Sequence, residues 1–475
     1  MSPPLPSSFG VVLPFVSAML LAGCTSFEPE QSVDQINQQF SAFTQSSLKP
    51  AFNSEQKSRL QATADRLLQE PISQNEAVQI ALTNSPAFQA MLAQYWASGA
   101  NAAQQGRIAN PLFSIERSRF VDELEIARTI SFGLLDVLTL PRRSAIAQSK
   151  IEAAQWQFSS EVIDRITQVR AAWVKAVAAQ QILSYAMQVS DAAEASAELA
   201  QRMRSAGNFN QLQAARQRAF YADAVAQLAA ARHSNTAARE GLVRLLGLTS
   251  DQLARLRLPE RLPDLPEAVY PAEKIATVAT ENRLDVRMAQ ALLDTVAKQQ
   301  GLTLATSMTD IELTVKRNTI FDDASKTSDV KRGVEIGVRL PVFDSGQLQR
   351  DAMNAATLAA SYRLENIVRN AASELRESYS AYRTSYDIAH HYQYEILPLR
   401  KRISQENQLR YNGMFISVFE LLADSREQIS SVMAAINAEQ QFWLADAALQ
   451  ASLIGRPERI SVTGTNNINE SAAAH

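Results

Sequence analysis

The chain carries one long unit twice, and that duplication constrains its fold more than any other feature. From Arg142 to Ala206 there is neither Gly nor Pro, Gly207 then turns the chain, and a return leg closes at Leu245, Leu246 and Gly247. From Gln347 to Asn412 the pattern recurs with a single Pro398, Gly413 turns the chain, and the return leg closes at Leu453, Ile454 and Gly455. The turn glycines stand 206 residues apart and the closing glycines 208, a long period of the kind that marks duplicated architecture. An outward leg of about 65 residues would be roughly 95 Å long if wholly helical. A helix of that length holds only where a continuous apolar stripe packs on neighbours, since propensity adds little per residue. Phe158, Val162, Ile166, Val169, Trp173 and Val177 supply that stripe at spacings of 3 and 4. The Ala and Gln around them permit close helix approach. On this pattern alone an ordinary coiled-coil rod serves equally well.

At 475 residues the chain could hold two or three domains, but the repeat argues for one body built from two halves. Lys and Arg number 46 against 49 Asp and Glu, with no dense basic run on which phosphates could bind, so no nucleic-acid partner is expected. An enzymatic reading fails for lack of parts: there is no Gly-rich phosphate loop, metal-spaced Cys and His cluster, or nucleophile elbow. The histidines are His233, His390, His391 and His475; the adjacent pair points to different helix sides and reads as surface. No catalytic residue, cofactor or metal site is expected.

The single cysteine, Cys24, excludes an intrachain disulfide. It follows an apolar segment, Val11 to Ala22, and the residues Leu21, Ala22 and Gly23. An apolar stretch long enough for export and small residues before a thiol form a lipobox pattern, so 1–23 reads as a lipoprotein signal peptide and Cys24 as the lipidation site. The segment is too short to span a bilayer as a helix. Met1 to Gly10 carries no Lys or Arg, where an export signal ordinarily places positive charge. A buried core cysteine is the competing reading. Thr25, where inner-membrane lipoproteins usually have Asp, favours outer-membrane lipid, and a bacterial lipoprotein's several acyl chains suffice to anchor it.

Between short helices and each long leg the period changes to two. Ile311, Leu313 and Val315 alternate with polar residues, as do Val334, Ile336, Val338 and Leu340, across a polar stretch, Phe321 to Lys331, that reads as an exposed hairpin loop. In the first half Phe113 and Ile115 start a weaker strand, and Ile126, Arg128, Ile130, Phe132 and Leu134 alternate with Ala127, Thr129, Ser131 and Gly133. Four strands of about 8 to 10 residues could cross a bilayer but cannot close a barrel. An open edge in hydrocarbon leaves amides and carbonyls unsatisfied, so strands that enter a membrane must be shared between several chains. Two small hairpins packed on soluble helices are the alternative.

These residues resemble the TolC family of bacterial outer-membrane efflux proteins over roughly Pro71 to Pro457. Ile72, Ser73, Glu76 and Ala77, then Ala81, Leu82, Asn84, Ser85 and Pro86, look like the family's opening helix. Ala279, Asn282, Arg283 and Asp285 resemble its second-half version, with Leu284 where the family often has Pro. Leu340 to Gly346 is similar to the strand exit into the second long helix, and Arg410, Tyr411, Asn412 and Gly413 with Phe419, Glu420, Leu421 and Leu422 to the turn and return helix. The resemblance implies a mainly α fold with a small β part: duplicated long helical hairpins forming a trimeric α-barrel, and four strands per chain in a shared 12-stranded transmembrane β-barrel. It implies a homotrimer in the outer membrane of a Gram-negative bacterium, extending into the periplasm. That trimer would be the passive exit channel of a tripartite efflux pump or type I secretion system, joined by a periplasmic adaptor to an inner-membrane transporter. The expected organisation is an N-terminal extension over 24–70, a first repeat over 71–250 with β-hairpin 111–135 and helical hairpin 142–247, and a Pro-rich linker over 251–271. A second repeat covers 272–457, with β-hairpin 310–342 and helical hairpin 347–455, before a disordered tail over 458–475.

The glycine turns should form the periplasmic tips. Gly207, Asn208, Phe209 and Leu212 make one; Gly413, Met414, Phe415 and Ile416 make the other. Exposed Phe and Met are costly in water unless a partner covers them, which favours adaptor docking; capping of the hairpin core by Phe209 and Phe415 is the other reading. Arg410, Tyr411, Glu420 and Asp424 are gate or selectivity candidates, the last two lying four apart on one face, with a merely solvated helix face as the alternative. A lipid-anchored periplasmic coiled-coil scaffold, or an adaptor protein, would lack channel activity; the first leaves the strands unexplained and the second the duplication.

Overall fold

The computed structural model describes residues 28–44, 48–51, 53–121, 123–271, 283–306, 310–322, 324–340 and 342–455. The signal segment, Cys24, Ala279, Asn282, Pro341 and the 458–475 tail lie outside the described residues. In chain order the elements are α1 (Pro29–Thr44), α2 (Ser54–Leu67), α3 (Gln74–Asn84), α4 (Pro86–Gln105), β1 (Leu112–Phe120), β2 (Glu123–Gly133), α5 (Leu134–Leu138), α6 (Leu140–Ser205), α7 (Gln211–Leu246) and α8 (Ser250–Arg255). The second half supplies α9 (Leu284–Thr306), β3 (Ile311–Asp322), β4 (Thr327–Val338), α10 (Gln347–His391), a π-helical turn (Tyr392–Ile396), α11 (Leu397–Asn412) and α12 (Val418–Ile454). Among the described residues no helix is long and apolar enough to cross a membrane.

The chain divides into two compact units. The unit of Ala93–Phe158 and Asp285–Val368 holds the β part. There, Tyr95 stacks on Phe158 with ring centroids 4.8 Å apart, and Lys298 donates to Ser149 Oγ at 2.6 Å while that hydroxyl donates to Asp294 at 2.8 Å. The four strands form one antiparallel sheet in the order β1-β2-β3-β4. The expected loop over Phe321 to Lys331 is corrected: β3 runs to Asp322 and β4 starts at Thr327. Polar residues such as Asp329 and Lys331 occupy alternate strand positions, because one face of β4 is polar. The strands are 9, 11, 12 and 12 residues long. Leu134 belongs to α5 rather than to a strand, and Leu340 lies past the end of β4.

The unit of Glu30–Leu92, Ser159–Leu284 and Arg369–His475 holds the helical hairpins. The stripe Val162, Ile166, Val169, Trp173 and Val177 on α6 is buried, and Trp173 Nε1 donates to the Ile72 carbonyl at 2.9 Å. On α7 the buried residues Gln217, Ala224 and Ala231 recur every seven positions, the coiled-coil repeat that small side chains allow to close tightly. The second half centres on Tyr382, Phe442, Leu375, Ala389 and Leu449. The run from Gln347 to Asn412 is not one uninterrupted α-helix: a π turn precedes Pro398, whose ring and missing N–H forbid a regular i→i−4 bond there. The Pro-rich stretch is no slack linker. Leu258, Leu262 and Leu265 are buried, and it is tied down by Trp443 Nε1 to the Pro263 carbonyl (3.1 Å) and the Tyr386 hydroxyl to the Pro266 carbonyl (3.1 Å).

Both halves close on the same device. Gly247 has φ +67, and a Cβ on it would stand 2.7 Å from Pro86 Cδ and from Ser85 Cα; Gly455 has φ +152, and a Cβ would stand 2.7 Å from Leu284 Cβ. Asn84 Nδ2 donates to the Gly247 carbonyl at 2.9 Å. In the second half Arg283, with no exposed surface, donates to the carbonyls of Ala371 and Ser452 and pairs with Glu374 at 3.2 Å.

Candidate functional site

The sheet registers run without a bulge: Phe113↔Ile130, Ile130↔Val315 and Val315↔Val334 form one row. Residues paired in a row share a face, and alternate residues along a strand return to it. One face therefore carries Phe113 and Ile115 on β1, Leu124, Ile126, Ile130 and Phe132 on β2, Ile311, Leu313, Val315 and Phe321 on β3, and Val330, Val334, Ile336 and Val338 on β4. Its charged residues are all basic: Arg117, Arg119, Arg128, Arg317 and Arg332. The opposite face carries Glu116, Glu123, Glu125, Glu312, Asp322, Asp329 and Glu335 against Lys316 and Lys331. Asn318 Nδ2 donates to Glu125 at 2.6 Å on that face, and Lys316 pairs with Glu335. Phe113, Ile115, Val334 and Ile336 are exposed, and β1 and β4 are edge strands with every residue exposed. A largely apolar face with two unpaired edges is an incomplete surface in water and in lipid alike.

The tips differ from each other. In the first, Gly207 takes φ +80, and the amides of Asn208 and Phe209 return to the Met203 carbonyl at 2.9 and 3.3 Å. Asn210 then caps α7 in a reciprocal box with Gln213. Phe209 is only 7% exposed, which corrects the expectation of an exposed ring there; Asn208 and Leu212 are exposed. In the second tip Gly413 has φ −82 and the left-handed residue is Met414, at φ +61. Shifting that conformation by one residue leaves Met414 93% and Phe415 85% exposed, with Ile416 half-buried. A methionine held left-handed costs on the order of 1 kcal/mol.

The gate candidates surround this second turn. The carbonyls of Arg410 and Tyr411 accept from Phe415 N (2.8 Å) and Met414 N (3.0 Å), so both are bound into the turn by their backbone. Ser417 caps α12 by accepting from Glu420 N at 3.3 Å, which sets the exposed Glu420 carboxylate at a helix N-terminus, where negative charge is favoured. Asp424 is buried, and its Oδ2 has no hydrogen-bond partner among the described residues. The two carboxylates therefore do not share an exposed face, which corrects the expected pair. Sequence reading missed Arg426, which reaches Gln217 Oε1 at 3.3 Å and lies 4.3 Å over the Phe220 ring; desolvation lowers its pKa, opposed by nearby Asp223. Only its chemistry, a cation two residues from an acid in a helix, could have signalled it.

A second missed group lies in the core of the same unit. Burial pushes the Asp446 carboxyl up to about 6, against the charge of Arg170, and Gln450 bridges them, donating to Asp446 at 2.6 Å and accepting from Arg170 at 2.9 Å. His233, His390 and His391 are exposed; His390 lies 4.5 Å from the Tyr394 ring and His391 is 3.0 Å from Glu395. Among the described residues no group of His, Cys, Asp and Glu could hold a metal ion.

No family model matches the sequence. The chain is similar to Protein CyaE of Bordetella pertussis, 28% identical over 310 residues, which cover 59% of this chain and 62% of that protein; the likeness spans less than two thirds of that curated relative. In structure it is similar to the outer membrane protein VceC of Vibrio cholerae (TM-score 0.66, 15% identity, covering 84% of this chain and 98% of that one). It is also similar to the CmeC outer membrane channel of Campylobacter jejuni (0.65, 14%, 83% and 85%) and the MtrE outer membrane channel of Neisseria gonorrhoeae (0.61, 20%, 84% and 89%). At such identities a likeness carries the fold and nothing finer, and the fold it carries is that of the TolC-family outer-membrane channels.

Proposed function

We propose that three copies of this chain pool their sheets into one barrel in the bacterial outer membrane and form a passive exit channel continuing into the periplasm. The single observation that carries the reading is the four-stranded sheet whose one face is largely apolar, whose other face is mainly acidic, and whose two edges are open. A 12-residue strand at about 3.4 Å per residue and a tilt of roughly 40° reaches about 30 Å along the membrane normal, enough for an apolar band of about 25 Å. Pairing β1 of one copy with β4 of the next removes both edges, as hydrocarbon demands. The apolar face then meets lipid and the acidic face lines the lumen, favouring cations. The neighbours in structure named as outer membrane channels support this assembly.

Within that reading the chain serves a tripartite efflux pump or a type I secretion system. Cys24 carries the lipid anchor after removal of 1–23, and a periplasmic adaptor docks at the hairpin tips, linking the channel to an inner-membrane transporter. Met414 and Phe415 support the docking assignment, because a strained turn that presents two large apolar side chains to water is a surface awaiting a cover. A coiled-coil scaffold without a channel leaves the apolar sheet face without a purpose. Reconstitution of detergent-purified protein in planar bilayers tests the proposal: stable trimers that pass cation-preferring current are expected, and a monomer that leaves the bilayer silent refutes it.

A further inference from the structure

Arg128, Arg317 and Arg332 stand side by side across β2, β3 and β4, paired in register as Arg128↔Arg317 and Arg317↔Arg332. Arg117 and Arg119 follow on the same face of β1, one and two rows nearer the strand-joining turns. Like charges directly opposite on neighbouring strands repel. Among the described residues no Asp or Glu shares this face of the sheet. Arg128 donates to Thr319 Oγ1 at 3.3 Å, a neutral partner that leaves the charge uncompensated. A neighbouring copy brings the same strand face, whose described residues add no acid beside this row. Among the described residues the row of Arg128, Arg317 and Arg332 therefore meets no acid on its own face, which leaves it open to an anion from outside the protein.

The position of the row says which anion. On the side away from the turns the same face is apolar through three successive rows, those of Val315, Leu313 and Ile311; on the turn side the arginines of β1 mix with Ile126, Val330, Leu124 and Phe321. An arginine in the middle of a bilayer is costly and near the interface far less so, and long basic side chains reach for the polar layer. Arginine is also the side chain whose planar fork matches phosphate oxygens two at a time. We propose that this face binds the phosphate groups of an anionic glycolipid in the outer leaflet, in a belt of arginines repeated around the assembly. The inference rests on the trimeric barrel reading.

The test uses purified full-length trimer in detergent and native mass spectrometry, with bis-phosphorylated lipid A, its dephosphorylated form and inorganic phosphate as probes. The wild-type trimer is expected to retain the phosphorylated lipid, and the triple variant Arg128→Gln, Arg317→Gln, Arg332→Gln to retain it about tenfold less or weaker still, while still forming trimers that conduct in pure phosphatidylcholine. Excess inorganic phosphate should displace little of the lipid. Equal retention of phosphorylated and dephosphorylated lipid A by the wild type overturns the inference, and needs no variant to fold. Undiminished retention by a trimeric triple variant overturns it as well, as does displacement by inorganic phosphate at matched concentration. A wild type that neither trimerises nor conducts refutes the channel reading itself, a result distinct from these.

Discussion

Gly455 presses against Leu284 as Gly247 presses against Pro86: a Cβ on either glycine would stand 2.7 Å from its neighbour. Both positions also have positive φ. Replacing either glycine with alanine therefore forces backbone movement at the closing contact of its half. Gly247→Ala and Gly455→Ala should each destabilise by about 2–4 kcal/mol. Gly241→Ala, mid-helix with only Arg244 Nη2 at 3.9 Å, should stabilise by about 0.5–1 kcal/mol. Guanidinium unfolding of the three variants measures this, and equal effects at positions 241 and 247 would contradict it.

The buried Asp446 makes stability fall as pH rises. Its folded-state pKa, about 6, lies above the ordinary carboxylate value, so the folded protein holds the proton more tightly than the unfolded chain. The stabilisation is complete below about pH 4 and is lost as pH rises to about 6, by on the order of 3 kcal/mol. Asp446→Asn should flatten the slope in that window relative to wild type. Parallel pH profiles for the two proteins would remove Asp446 as the cause.

The two tips should respond oppositely to a charge. Phe209→Asp buries a carboxylate in the hairpin and should destabilise by about 3 kcal/mol or more. Met414→Asp and Phe415→Asp change exposed side chains and should shift stability by less than about 0.5 kcal/mol, yet abolish pump-dependent resistance or secretion. Thermal unfolding paired with a transport assay in cells separates the two cases. Full transport by Met414→Asp and Phe415→Asp channels would remove this tip from adaptor docking.

Selectivity should reside in the sheet more than at the tip. Glu116→Gln, Glu125→Gln and Glu335→Gln combined should move the reversal potential in a salt gradient toward zero, whereas Glu420→Gln alone should change it little. Asp424→Asn, at a buried oxygen without a hydrogen-bond partner among the described residues, should act on stability rather than on ion preference. A reversal potential controlled by Glu420 would return the filter to the tip.

Much of this was legible from periodicity. Val334, Ile336 and Val338 alternate strictly, and a period of two leaves one choice of face. The α6 stripe is equally plain at spacings of 3 and 4, but the burial of Ser160, Thr167, Ala171 and Ala178 on the opposite side of that helix is not, because it depends on neighbours distant in sequence. The reading failed where one-dimensional pattern and three-dimensional environment part. Asp329 and Lys331 looked like loop residues because their strand has a polar face, and β1 looked weak because Arg117 and Arg119 stand on its apolar side. Phe209 and Phe415 occupy matching places in the repeat yet end in opposite surroundings, because the left-handed residue moved from Gly207 to Met414. Arg283 and Asp446 are hidden for a different reason: their burial depends on partners far away in sequence.

The sharpest test of the shared barrel is a cysteine pair across the edge that two copies must join. Glu116→Cys on β1 is combined in turn with Lys331→Cys, Gly333→Cys and Glu335→Cys on β4, and the parent chain, whose sole cysteine is Cys24, serves as the blank. After mild oxidation of outer membranes, at least one pair should give covalent dimers and trimers on denaturing gels while the blank runs as monomer. Chains that remain monomeric with every pair, in a preparation that also passes no current, would contradict the account.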